Sequence, residues 1–163
     1  MNHAMLQRIV EEVAARLRRR ARSTATLSVA QLGEADIHSL LCQHASLRIV
    51  QVDLPLLEQL TGQRALTAAG CALHEAMAWG VRVQLTLLPA LLPALAVKKL
   101  ARLPLTFSDP PGQPVRLHAA SVVTYADVAR LHGGYLVLRR RPIITALARE
   151  AAVARHVQLI TQE

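Results

Sequence analysis

Aromatic residues are nearly missing from this chain: Trp79, Phe107, Tyr125 and Tyr135 are the only ones in 163 residues. A core must therefore be packed from Leu, Val, Ala and Ile. The 52% hydrophobic content supplies enough of them for one folded domain and excludes a disordered chain. The same scarcity argues against nucleic acid as a partner, despite a formal net charge of +8. Single-strand and RNA recognition leans on aromatic platforms that stack bases, and no zinc-finger spacing or RNA-recognition signature is present. The charge reads instead as solvated faces or attraction to acidic partner surfaces. Cysteine is scarce as well. Cys42 and Cys71 stand far apart among apolar or small residues, which predicts free, buried thiols in a reducing cytosolic compartment.

No long apolar run occurs. The greasiest stretch, Thr86 to Val97, is too short to span a bilayer and carries Pro89 and Pro93. Glu11 and Glu12 interrupt the early apolar pattern, so no signal peptide is read, and a soluble chain without a membrane partner is expected. The scattered glycines form neither a GxGxxG nor a Walker pattern, and no cofactor is expected. No two of the histidines share the helical spacing of a metal site. Cys42 with His44 falls short of the three or four ligands that zinc needs. His74-Glu75 is half of a metalloprotease motif, with Ala78 where the second histidine would stand. Without a GxSxG elbow no triad can be assembled either. No catalytic residue is assigned.

What the chain does have is an amphipathic opening. Met5, Leu6, Ile9, Val10, Val13 and Leu17 recur at steps of three and four, drawing one apolar stripe down a helix. Gln7, Arg8, Glu11, Glu12 and Arg16 occupy the other side, and Arg18, Arg19, Arg20 and Arg22 follow where helix carbonyls favour cations. Ser23-Thr24-Ala25-Thr26 ends the pattern. Residues 1–22 are thus expected to form a helix, and 23–163 a single α/β domain. The stripe's six residues are the candidate partner-binding site, by burial in a partner's groove. Packing on the chain's own body remains open.

The body reads as alternating elements. Leu27 to Leu41 is a short extended piece, a turn and a weak helix. Leu47 to Val52 and Val81 to Leu87 are strands, with a helix from Ala65 to Trp79 between them stopped by Gly80. Strand, helix, strand predicts a right-handed crossover and parallel pairing. Ala90 to Leu100 is expected as one helix. Leu105–Phe107 and Val115–Leu117 flank a dense turn signal and form a loose hairpin. The tail repeats a unit: Val122-Val123-Thr124 opens a helix through Leu131, followed by a strand at Tyr135–Leu138. Ile143-Ile144-Thr145 opens another through about His156, followed by a strand at Val157–Ile160. Thr124 with Asp127 has the spacing of a capping box. The expected fold is α/β, with a small, mostly parallel or mixed sheet flanked by helices.

Two local features point elsewhere. Asp53, just past a strand end, stands where open α/β sheets bind ligands, and it can equally cap the helix after Pro55. Arg139-Arg140-Arg141 can receive an anion, or form a solvated strand end facing an acidic partner.

Four segments then settle the likeness: Met5–Leu32, Leu40–Leu60, Val97–Phe107 and Ile144–Glu163. Together, and essentially end to end, they resemble a family of propanediol-utilisation microcompartment proteins. The resemblance implies a minor structural component of a protein-shelled organelle in the cytoplasm, needed for assembly and without enzymatic activity. The implied partners are shell proteins, encapsulated enzymes, or both. The opening helix is also similar to the short helices by which cargo enzymes attach to such shells, from which its arginine cluster and short linker depart. The segment from Ala68 to Leu87 is similar to flavoprotein-like α/β domains, at the level of fold. The expected function is therefore non-enzymatic assembly, linking shell and enzyme core. The alternative is a flavin- or nucleotide-binding domain using the strand ends near Asp53 and Leu87-Leu88.

Overall fold

A computed structural model describes residues 2–163. In chain order the elements are α1 (His3–Arg22), β1 (Thr24–Ser28), α2 (Val29–Glu34), α3 (Ile37–Gln43) and β2 (Ser46–Val50). Then come α4 (Leu54–Leu60), α5 (Ala68–Ala78), β3 (Arg82–Thr86), a 3₁₀ segment (Pro89–Ala94) and α6 (Val97–Leu100). The chain continues with β4 (Leu105–Ser108), β5 (Pro114–His118), β6 (Val122–Val123) and α7 (Tyr125–Ala129). It closes with β7 (Tyr135–Leu138), β8 (Ile143–Ile144), α8 (Ala146–Ala154) and β9 (Gln158–Thr161). The fold is α/β, as expected. Seven strands form one sheet in the order β1-β2-β3-β4-β5-β7-β9, and β6 pairs β8 in a small parallel ladder of its own. Every pairing in the large sheet is parallel except the β4–β5 hairpin.

That single reversal decides where the helices lie. From β1 to β4 the strands advance one place at a time, and right-handed crossovers between such strands fall on one face. Ala25-Leu47-Val83-Leu105 and Leu27-Ile49-Leu85-Phe107 form in-register rows on that face. They pack under Leu32 of α2, Leu41 of α3, Leu56, Leu57 and Leu60 of α4, and Leu73 of α5. After the hairpin the strands point the other way while the sheet grows in the same direction, so the same crossover hand delivers helices to the opposite face. There Leu136 and Leu138 of β7 pack with Val128 of α7 and with Ala148, Ala151 and Ala152 of α8.

Local chemistry accounts for the element ends. Asp53 Oδ1 accepts from Leu56 N at 3.0 Å and caps α4. Buried Gln59 accepts at its Oε1 from Thr67 N (3.0 Å) and Thr67 Oγ1 (2.9 Å), which holds the residue just before α5. The Thr124 amide and hydroxyl both donate to Asp127 Oδ2, at 2.8 and 2.9 Å, and Ala148 N donates to Thr145 Oγ1 at 3.2 Å. Gly134 has φ +80°, and a Cβ there would sit 2.2 Å from the Pro114 carbonyl oxygen. Only glycine lets β7 start this close to β5.

Three expectations need correcting. Residues 90–100 are not one helix. Pro93 supplies no amide and disfavours α geometry at Leu92, so a 3₁₀ segment gives way to the short α6. Residues 27–41 hold two short helices rather than one weak one, with Ser28 and Asp36 capping each. The thiols are exposed rather than buried. Each sits about 100° around its helix from an inward neighbour, Cys42 beside Leu41 and Cys71 between Gly70 and Ala72.

Candidate functional site

The stripe predicted to meet a partner lies on α1, about 30 Å long at 1.5 Å per residue. Asn2 caps its start, and Ser23 N donating to Arg20 O ends it. No residue of α1 is buried. Met5, Leu6, Ile9, Val10, Val13 and Leu17 are each between 45% and 59% exposed. The polar side carries an i,i+4 pair, Arg16 with Glu12 at 2.6 Å. Hydrogen bonds to the domain gather at the base of the helix. Arg20 Nε donates to Leu41 O at 2.9 Å, Ala45 N donates to Arg20 O at 3.1 Å, and Ser23 Oγ pairs with His44 Nδ1 at 2.5 Å. Arg20 was read as one of several cations at a helix terminus, but it is the strut that fixes where α1 leaves the body. No sequence signal distinguishes it from its neighbours.

The sheet presents a second surface. Opposite the rows buried beneath α2–α5 runs the in-register row Thr26-Arg48-Gln84-Thr106, with Thr86 beside Ser108 one step on. Thr26, Arg48 and Thr106 are exposed. Parallel sheets are ordinarily covered on both faces; here four strands leave one face polar and open. At their carboxyl ends this face deepens into a cleft of about 920 Å³, lined by Arg48, Gln84, Thr86, Asp53, Leu88 and Asp109 among others. Asp53 and Leu88 do meet there, at the kind of place where α/β sheets hold ligands.

Four of the polar side chains in that cleft, Asp53, Asp109, Gln84 and Ser108, are already engaged. The Asp53 carboxylate already fills the N-terminus of α4, where a phosphate would need free amides. Asp109 Oδ1 accepts from Gln113 N at 2.6 Å, and Gln84 Nε2 donates to Ser108 Oγ at 2.8 Å. No histidine or cysteine lines the cleft. The cleft presents hydroxyls, two carboxylates, amides and one guanidinium.

The remaining sequence candidates are dispersed. Glu75 pairs with His38 Nε2 at 3.2 Å on the surface, and the His38 ring tilts against Trp79. Among the described residues no three of His, Cys, Asp and Glu gather into a metal-holding group. No described helix is long and apolar enough to cross a membrane. Asp127 has a carboxyl held below its ordinary value, chiefly by the Thr124 amide, with His118 and Arg130 adding positive charge. Its task is to hold α7.

A family model described as putative propanediol utilisation matches residues 8–158. The chain belongs to this family. Two of its similar relatives are each called a bacterial microcompartment assembly protein, PduM. The Salmonella typhimurium strain LT2 protein is 58% identical over 163 residues, covering 100% of both chains. The Citrobacter freundii protein is 55% identical over the same 163 residues, again covering 100% of both. No solved structure matches.

Proposed function

We propose that this protein is a non-enzymatic assembly component of a propanediol-utilisation microcompartment, linking shell and enzyme core through protein–protein contacts. The relatives named as microcompartment assembly proteins support the organelle and the structural role. The observation that carries the linking role is α1, whose six stripe residues stay uncovered while the helix is anchored only near its base. Met5, Leu6, Ile9, Val10, Val13 and Leu17 form one contact, laid into an apolar groove of a shell protein or an encapsulated enzyme.

The energetics fit a reversible contact. Each stripe residue is already about half covered, so burying the rest contributes about 0.8–1.5 kcal/mol apiece, and the cost of immobilising the partners removes a large part of the sum. Between His3 and Arg22 six arginines face two glutamates, so a groove with an acidic rim suits the helix.

The test is deletion of residues 1–20 in cells that make the organelle, followed by co-purification. The expected result is a folded domain lost from intact organelles. Full retention would sink the docking role of α1 and leave the family assignment in place.

A further inference from the structure

The carboxyl ends of β7 and β9 lie at the opposite edge of the sheet from those of β1–β4, because the β4–β5 pair is antiparallel. A different crevice forms there. Arg139 and Arg140, just past β7, and Gln162, just past β9, meet Lys98 and Lys99 of α6 and Gln63 around a cleft of about 370 Å³. This is a set of donors in excess of acceptors. Among the described residues no carboxylate pairs with Lys98, Lys99 or Arg139. Arg140 Nε donates to the Glu163 carbonyl oxygen. Arg139 Nε is buried and has no hydrogen-bond partner in the protein, so Arg139 lines the cleft with its other atoms. The next residue, Arg141, holds φ +52° before Pro142. That conformation is unfavourable for a side-chain-bearing residue, and more so ahead of proline. Strained backbone of this kind clusters at binding sites.

We infer that this cleft binds a small phosphate-bearing anion, a diphosphate or a phosphate ester. Guanidinium and ammonium groups converge as they do on phosphoryl oxygens, with Arg supplying fixed donor geometry and Lys point charge. Four cations in one crevice repel one another, and a multiply charged anion removes that repulsion where a single carboxylate would leave most of it. The volume lies in the range of small-ligand pockets, which favours a small molecule over a run of acidic protein chain. The inference is independent of the docking role of α1.

Calorimetric titration of the full-length protein with inorganic pyrophosphate, in about 0.1 M salt to screen diffuse attraction, provides the test. Saturable one-to-one binding is expected. Lys98→Gln with Lys99→Gln, both at exposed positions, should weaken it about tenfold or more. Arg139→Gln should do the same, checked by a melting curve. Arg82→Gln with Arg149→Gln removes equal charge from exposed positions outside the cleft and should leave affinity unchanged. Three results would overturn the inference: no saturation, an equal loss in that control pair, or a polyglutamate peptide that occupies the cleft and resists displacement by pyrophosphate.

Discussion

In the β1–β4 half of the sheet, helices lie over Leu47, Ile49, Val83 and Leu85, and the other face shows Thr26, Arg48, Gln84 and Thr106 to solvent. In the β5–β9 half, α7 and α8 lie over Leu136 and Leu138, on the side that is open in the first half. One sheet face is therefore polar where nothing covers it and apolar where helices do. The difference traces to one event, the hairpin between β4 and β5. It reverses strand direction while crossover handedness stays fixed, so the helical layer changes sides. The sequence patterns obey the same logic. Arg82–Thr86 alternates polar and apolar because only one of its faces is covered, whereas Tyr135–Leu138 is apolar throughout because both are.

The largest effects should come from cutting into each half's own core. Leu85→Ala and Leu136→Ala, on opposite sheet faces, should each destabilise by about 2–5 kcal/mol in urea unfolding. Gln84→Ala, on the same face as Leu136 but in the open half, loses only its hydrogen bond to Ser108 and should cost about 1 kcal/mol. Equal costs for Leu136→Ala and Gln84→Ala would mean that both halves are open, or both covered, and would break the contrast.

A smaller effect belongs to α7, the helix that begins the second layer. Asp127→Asn weakens its capping box and should cost about 1 kcal/mol. The Asp127 carboxyl is lowered from its ordinary 3.8, chiefly by the Thr124 amide. A lowered folded value means the unfolded chain binds the proton more readily. The stabilisation is thus fully present above the ordinary value, and it is lost as pH falls below 3.8 and through the lowered value. Asp127→Asn should flatten that part of the acid limb in melting temperatures read against pH. An unchanged acid limb would assign it to other carboxylates.

Most of the strand frame was legible because its signals are local. Tyr135–Leu138 matches β7 residue for residue, and the strands read at 47–52 and 81–87 contain most of β2 and all of β3. The capping threonines, the Gly80 stop and the hairpin turn are short-range chemistry too. Other features escaped because they depend on residues distant in sequence. The β6–β8 ladder joins two-residue pieces, each too short to show a period. Lys98 and Lys99 meet Arg139 and Arg140 only because α6 passes near the end of β7. The open face was written in the alternation of Ser46–Val50 and Arg82–Thr86, since parallel strands covered on both sides read as unbroken apolar runs. Which helices would leave it open required knowing that the hairpin continues the same sheet.

The smallest stability effect is expected on α1, and it bears on the comparison directly. The half-open sheet and the α1 stripe are both uncovered, and the simplest economy would have one cover the other. Their chemistry forbids it: the sheet offers hydroxyls, an amide and Arg48, and the stripe offers six apolar side chains. Laying the stripe on that face would take Arg48 from water without giving it an anion, a cost that apolar contact does not offset. Val10→Glu or Leu17→Glu should therefore change unfolding free energy by no more than about 0.5 kcal/mol, while reducing co-purification with intact organelles. If either variant instead destabilised the domain by about 2 kcal/mol or more, as a buried charge does, α1 would be packing on its own body in solution. The first half of the sheet would then have a second helical layer after all.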